Sequence, residues 1–343
     1  QLVERTTDNG GGAWWKCVAY DASYTDASLG YGYQLKITGN TDKSFILAEF
    51  QGPTANPSVD VKQFGAKGGK ISTEDDYNAI QSALDYVLSD GSAVGGVGAD
   101  VYIPYGYYYI SQGLTVPNAT RLHGAGRWQT WLRAMTGFTG TMIQDKTNAG
   151  KIVLENFSCD AMNEAGVTDL VSLGNIDVQW GEGSIEQMVL RGKDPQGTPT
   201  SNPGTVGIRV TGNIATITEV EEQFCDSAFI EEGGSVGVTY TRCFGIGNKD
   251  YTFKTGNAAT MIGCECEAPQ ATCIGAYVGG SLTMTGFTYS QAASTTNPHM
   301  IEIDNAATGF RYNGITHFDG AGTATLTNVV KDNRTTSPLN WGD

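Results

Sequence analysis

The sequence predicts an all-β chain wound as a solenoid, and three observations carry that reading. From Asp100 onward the helical period disappears, and short apolar-alternating segments recur every ~20 to 30 residues, the spacing of stacked structural repeats. Several of these segments share an apolar residue, then Asn or Gly, then a second apolar residue. Leu154-Glu155-Asn156-Phe157, Met284-Thr285-Gly286-Phe287 and Tyr312-Asn313-Gly314-Ile315 are the clearest. Asn and Gly tolerate the left-handed backbone that a tight coil corner needs. The third observation is composition: only 17% of the 343 residues are charged, while 46 are Gly and 10 are Pro. That balance suits stacked short strands with tight turns, and the 40% hydrophobic content argues against disorder.

Residues 1–58 differ from the rest. Alternation in Tyr33 to Thr38 and in Ser44 to Phe50, with Trp14-Trp15 before them, predicts strands, and Gly10-Gly11-Gly12 and Gly39-Asn40 supply turns. A small β-rich appendage is expected here, ending in the Pro-containing stretch 51–58 as a linker. The solenoid is expected over 59–343. One helix is predicted at about 74–88. Ser72 or Thr73 can cap it, Glu74, Asp75 and Asp76 place negative charge at its positive end, and Tyr77, Ile80, Leu84, Val87 and Leu88 form one apolar stripe. A lone helix ahead of many strands is suited to cover the open apolar end of a solenoid.

The strands then follow in order. They include Val101 to Ile103, Thr120 to Leu122, Ile152 to Cys159, Ser184 to Leu190, Ile217 to Val220, Val236 to Cys243, Thr260 to Cys266, Ser281 to Tyr289 and Gly309 to His317. Uneven spacing implies loops of variable length, the longest being the Pro- and Gly-rich insertion 191–207.

The stretch from Val59 to Arg127 carries a resemblance. Asp60-Val61-Lys62-Gln63-Phe64-Gly65-Ala66-Lys67-Gly68, then Asp75-Asp76 with Ala79-Ile80-Gln81, then Val101-Tyr102-Ile103-Pro104, and His123-Gly124-Ala125-Gly126 occur in that order. This order resembles the opening of the pectate-lyase-like right-handed parallel β-helices of phage tailspikes and polysaccharide depolymerases. One departure is visible, because Gly68-Gly69-Lys70 stands where the family often has Gly-Asp-Gly. The resemblance implies a right-handed parallel β-helix and a polysaccharide or host surface glycan as partner. It also implies an extracellular or virion-surface location, with attachment to a virion tail or capsid through residues 1–58. A homotrimer is the expected assembly, with the long flat faces and Leu339-Asn340-Trp341 available for packing between chains. The motifs belong to the first coils and bring no catalytic residues with them. His123-Gly124-Ala125-Gly126 is read as a strand-to-strand corner, since no P-loop Lys-Ser/Thr follows.

Charge and cysteines narrow the function further. The net charge is −15, with no Lys/Arg cluster, so nucleic acid is not an expected partner. No apolar run is long enough to predict a membrane-spanning helix. The seven cysteines lack paired metal spacing and sit mostly in apolar strand patterns, so buried free thiols are expected and neither metal nor cofactor is.

Only three histidines occur, and no two of them stand at metal-binding spacing, which points to carboxylates as the chemistry. Hydrolysis of a glycan needs two across the scissile bond. Strand alternation turns Leu154, Phe157, Ile185, Met188 and Val220 inward, so Glu155, Glu186 and Glu221 are expected to form one outward ladder. Asp160, Glu222, Asp226, Glu231 and Glu232 are expected at nearby corners. Trp180, Arg191, Arg242 and Tyr240 are the candidates for holding substrate, with Tyr105, Tyr107, Tyr108, Tyr109, Trp128 and Trp131 as further sugar-stacking aromatics. Two functions remain open: a glycan-cleaving enzyme, hydrolase ahead of lyase, or a non-catalytic spike that binds or projects.

Overall fold

The chain is a parallel β-solenoid in a computed structural model. The structure describes residues 2–6, 12–19, 34–36 and 43–49, and residues 58–335 apart from 90–98, 146–150, 175–181, 193–204, 212–213, 233–236, 268, 270–271, 292–295 and 320–324. Three faces stack along the axis. Face one runs from Ser58–Asp60 and Ala99–Ile103 through Thr120–Gly124, Lys151–Glu155, Glu182–Glu186, Ile214–Thr218, Gly237–Thr241 and Ala258–Ile262. Face two runs from Gly106–Ile110 through Thr130–Ala134, Ser158–Asp160, Val189–Arg191, Glu221–Gln223, Phe244–Ile246 and Glu265–Glu267. Two long strands, Ser281–Gln291 and Gly309–Asp319, continue both faces across their shared corner, which joins them into one 17-stranded sheet. Face three is a separate nine-stranded sheet from Leu114–Val116 to Thr325–Asp332.

The corner between faces one and two explains the Asn and Gly pattern. Asn156, Gln187, Glu219, Arg242, Gly263, Gly286 and Gly314 all have positive φ, between 51° and 71°. The backbone N–H of each of the first five donates to a carbonyl of the next coil, as from Asn156 to Glu186 and from Glu219 to Thr241. The corner therefore keeps its main-chain groups paired even though the strand pauses there.

Inside the stack, Leu122, Leu154, Ile185, Ile217, Tyr240, Met261 and Met284 form one inward column, in register coil on coil. They meet Ile143, Val171, Ile208, Phe229, Phe253 and Ala276 from face three. Phe229 and Phe253 stack at 4.8 Å, and Tyr240 sits edge-on to both. Burying each aliphatic side chain of this kind is worth about 1.5–3 kcal/mol, and the column repeats at every coil. Cys159, Cys225, Cys243, Cys264 and Cys266 are free thiols buried in the same core.

The helix spans Tyr77–Ser89, starting three residues later than the sequence predicts. Asp75 accepts the Tyr77 N–H at 2.9 Å, and the Asp76 carbonyl accepts from Ile80. The Asp76 carboxylate instead takes the N–H groups of Lys67 and Gly68, tying the helix start to the segment before it. Ile80, Ala83, Leu84 and Val87 are buried against the first strands of the solenoid, so the helix covers its starting end. In 1–58, strands Leu2–Thr6, Gly12–Ala19, Gln34–Lys36 and Lys43–Glu49 form a four-stranded sheet with antiparallel pairings. The side chain of Leu88, the expected linker up to residue 57, and Leu339-Asn340-Trp341 lie outside the described residues.

Candidate functional site

Two clusters of chemistry-bearing side chains lie on adjacent faces of the early coils. The first is on face two. Its outward positions run Tyr107, Trp131, Ser158, Val189, Glu221 in one column and Tyr109, Arg133, Asp160, Arg191, Gln223 in the next. The Arg133 guanidinium sits 4.0 Å over the Tyr107 ring, and that of Arg191 lies 5.0 Å from the Trp131 ring. Asp160, only 4% exposed, lies between the two arginines at 3.9 and 3.8 Å. Those distances are ion pairs rather than hydrogen bonds, and Arg133 Nε is buried with no hydrogen-bond acceptor. The cluster thus combines aromatic rings with two guanidinium groups gathered around one buried carboxylate.

The loop from Gly124 to Thr130 frames this cluster. Ser158 Oγ donates to the Arg127 carbonyl, and Trp131 Nε1 donates to the Trp128 carbonyl at 3.3 Å. Trp128 is 48% exposed, its ring 5.7 Å from that of Trp131. The loop can lie this close because Gly124 has no Cβ; one would collide with the Asn156 carbonyl. His123-Gly124-Ala125-Gly126 is accordingly the end of a strand and a turn.

The second cluster is on face one. Asp100 and Arg121 are register neighbours joined at 3.0 Å, and His123 Nε2 lies 3.2 Å from the same Asp100 carboxylate. Arg121 also donates through Nε and Nη2 to one oxygen of Glu155. Glu155 pairs in register with Glu186 one coil on, and Ser184 Oγ donates to Glu186 at 2.6 Å. Tyr102 packs on the His123 ring at 5.0 Å.

The predicted ladder of three carboxylates divides between two faces. Glu155 and Glu186 are stacked, but Glu186 continues to Thr218, while Glu221 pairs with Val189 and Phe244 on face two. The left-handed corner falls at Glu219 and ends face one at Thr218, which carries Glu221 around it. Glu221 instead accepts from Gln223, which in turn takes the Arg191 Nε–H at 3.2 Å, extending the first cluster. Tyr240 is 1% exposed inside the aromatic core, which closes it to substrate. Tyr108 is likewise buried. Arg242 occupies the corner itself and pairs with the corner residue Glu219. Gln187, Arg242 and Arg127 together hold that Glu219 carboxyl below its ordinary range. Trp180 lies outside the described residues. Glu222, expected at a corner, points into the core instead and is fully buried.

The sequence pattern alone did not single out Arg133. Its signal is present in Thr130-Trp131-Leu132-Arg133-Ala134, where alternation places Arg133 on the same face as Trp131. Among the described residues, no group of three or more His, Cys, Asp or Glu is arranged to hold a metal.

The helix-capped coils and the aromatic, arginine and carboxylate rows on their outer faces define a parallel β-helix of the pectate-lyase-like class. Residues 58–311 match the model of the rhamnogalacturonase A/epimerase, pectate lyase-like family, and the chain belongs to that family. Among curated proteins, it is similar to the preneck appendage protein of Bacillus phage PZA, 30% identical over 111 residues, covering 31% of this chain and 12% of that protein. It is also similar to mannuronan C5-epimerase AlgE2 of Azotobacter vinelandii, 34% identical over 124 residues, covering 34% of this chain and 11% of that one. Among solved structures, the enzymatically active domain of tailspike protein 2 from bacteriophage CBA120 shares the fold with a TM-score of 0.58 at 14% identity, covering 97% of this chain and 53% of that one. The matches thus span only about a tenth of the curated relatives' length.

Proposed function

We propose that this chain is the glycan-engaging β-helix of a phage spike or appendage, displayed on the virion surface. The observation that carries the reading is exposed Trp128 beside the half-buried Tyr107, Arg133 and Arg191 of face two, with Trp131 and Asp160 packed beneath them. Aromatic faces stack on sugar rings, and guanidinium and carboxylate groups take hydroxyl or acid oxygens. The likeness to a phage appendage protein and a tailspike domain supports the location. Residues 1–58 are the proposed attachment segment and a homotrimer the proposed assembly.

For cleavage, the proposed pair is Glu155 and Glu186. Stacked strands lie about 4.8 Å apart, close to the carboxyl separation of about 5–5.5 Å in retaining glycosidases. In that mechanism one carboxylic acid protonates the leaving glycosidic oxygen while the other carboxylate attacks the anomeric carbon. Water then releases the sugar, with the first group acting as base. Glu186, whose carboxylate takes the Ser184 hydroxyl, suits the nucleophile. Glu155 already has one oxygen taken by two N–H groups of Arg121, which leaves it poorly placed to reach a leaving glycosidic oxygen. That observation favours the second reading, a spike that binds glycan without cutting it.

Incubation with a panel of purified surface polysaccharides separates the two. New reducing ends, abolished by Glu186→Gln and by Glu155→Gln with retention on the glycan unchanged, support hydrolysis. Absorbance from an unsaturated uronate supports a lyase. Retention that is lost in Trp128→Ala and Arg133→Ala, without cleavage, supports the binding spike. No retention of any glycan in the panel rejects the proposal.

A further inference from the structure

Face one changes character after its first coils. From Ile214 to Thr285 its twelve outward positions are Ile214, Thr216, Thr218, Gly237, Thr239, Thr241, Ala258, Thr260, Ile262, Ser281, Thr283 and Thr285, in register over four coils. Seven are threonine and none is charged, in a chain of net charge −15. Ile214 and Ile262 are 42% and 45% exposed on this face. The other faces differ over the same coils: face two presents Glu221, Glu265 and Glu267, and face three presents Arg209, Glu232 and Lys254.

We infer that this threonine face is where a second copy of the chain docks, with the two solenoids lying side by side. Charge selects the occupant. Two copies of so acidic a chain repel, and apposing faces two or three would bury carboxylates without matched partners. The threonine face is the surface on which identical copies meet without that cost. Its geometry suits the role as well. Coils repeat every ~4.8 Å and side chains of one strand face alternate every ~6.6 Å, so the threonines form a flat lattice that an identical lattice can match. Threonine is β-branched and restricted at χ1, so little side-chain freedom is lost on contact. A sugar ligand is a poorer fit, since no aromatic residue stands among the twelve positions.

The extent of the face is consistent with the centre of an interface. Five residues across and four coils along give on the order of 300 Å² of flat footprint, against roughly 800 Å² per partner in a standard interface. Polar groups then form the rim: Glu186 and Ser184 toward the start, Arg311 and Asn313 toward the end, and the Glu219–Arg242 pair along the corner. Rim charges of both signs allow cross-pairing between copies, while the uncharged centre stays dry.

The inference does not rest on the glycan reading, because mass is measured with no glycan present. Light scattering of the full chain at micromolar concentration should give a multimer. Thr216→Glu combined with Thr283→Glu, both at exposed positions, should bring the mass down to one copy with an unchanged circular dichroism spectrum. A monomeric parent, or a folded double variant that stays multimeric, overturns the inference. Should the double variant not fold, Thr239→Cys provides the second test. Mild oxidation should join copies covalently through the thiol introduced at position 239. It should not join them through the thiol of Lys254→Cys on face three. No crosslink in Thr239→Cys, or equal crosslinking in Lys254→Cys, overturns the inference as well. So would loss of glycan retention in the double variant with its multimer intact, which would mark the face as a sugar surface.

Discussion

Glu222 is the side chain whose environment departs furthest from its chemistry. It points inward from face two and is fully buried. Its carboxylate accepts from the Cys225 N–H at 2.8 Å and from the Asn248 amide, and no cation is among the groups that act on it. Asn248 Oδ1 lies 3.2 Å from the Thr252 hydroxyl, which lies 2.9 Å from Cys266 Sγ, so a polar thread runs through the core. Burial pushes the Glu222 carboxyl up to about 7, against 4.5 ordinarily, and the hydrogen bonds it accepts offset this only in part. The sign follows directly. The folded state favours the protonated acid, so its contribution is fully present below about pH 4.5 and is lost as pH rises through about 7. At most about 3 kcal/mol is at stake. Glu222→Gln should therefore melt like the parent near pH 4.5 and at higher temperature near pH 8; equal melting at both would show the carboxylate is not strained. Arg133 makes a different residue-scale prediction. Arg133→Lys keeps the charge but loses the planar stack on Tyr107, so glycan retention should fall several-fold with the melting temperature little changed.

The corner is the element that decides both the fold and the site. A left-handed backbone costs a non-Gly residue roughly 1–2 kcal/mol. A Cβ at Gly286 would meet only Gly263 backbone atoms at 3.8 Å, so there is room for it. Gly286→Ala should then lower the free energy of unfolding in urea by about 1 kcal/mol through the backbone alone. Gln187→Gly should move the other way, less its hydrogen bond to Glu219. If neither substitution shifts the midpoint, the positive φ values carry no strain. The same corner marks what could be read in advance. Asn156, Gly286 and Gly314 announced it, because those residue types tolerate the geometry. Gln187, Glu219 and Arg242 adopt the same backbone with nothing in their side chains to signal it. Alternation carried straight through Glu219 puts Glu221 on the wrong face and leaves Glu222 at a corner, when it lies in the core. The helix was readable from its stripe and acidic start, whereas its first turn was not: Asp76 commits its side chain to Lys67 and Gly68. Arg133 and Trp131 could have been paired by alternation, but their closeness to Asp160 and Arg191 depends on register between coils, which no single strand displays.

At the scale of the whole molecule, each coil pairs with the coils before and after it along the axis, and the chain carries a net charge of −15. Self-association through an uncharged face should be opposed by long-range repulsion alone. Raising the salt from about 0.01 M to about 0.5 M shortens the screening length severalfold. The multimer should therefore persist to lower protein concentration in high salt than in low. Sedimentation at both ionic strengths checks this, and an interface held by ion pairs would show the opposite trend.

Register between coils constrains the strands and leaves the spans between them free. Only three residues separate Gln223 from Ser227, whereas fourteen separate Arg191 from Val206 at the same connection one coil earlier, yet the strands on both sides keep step. Length thus changes from coil to coil; phase does not. Such a stack can exchange the segments that leave its edges without rebuilding its interior. Variation in what the surface meets could be accommodated in those segments while the wall behind them stays the same.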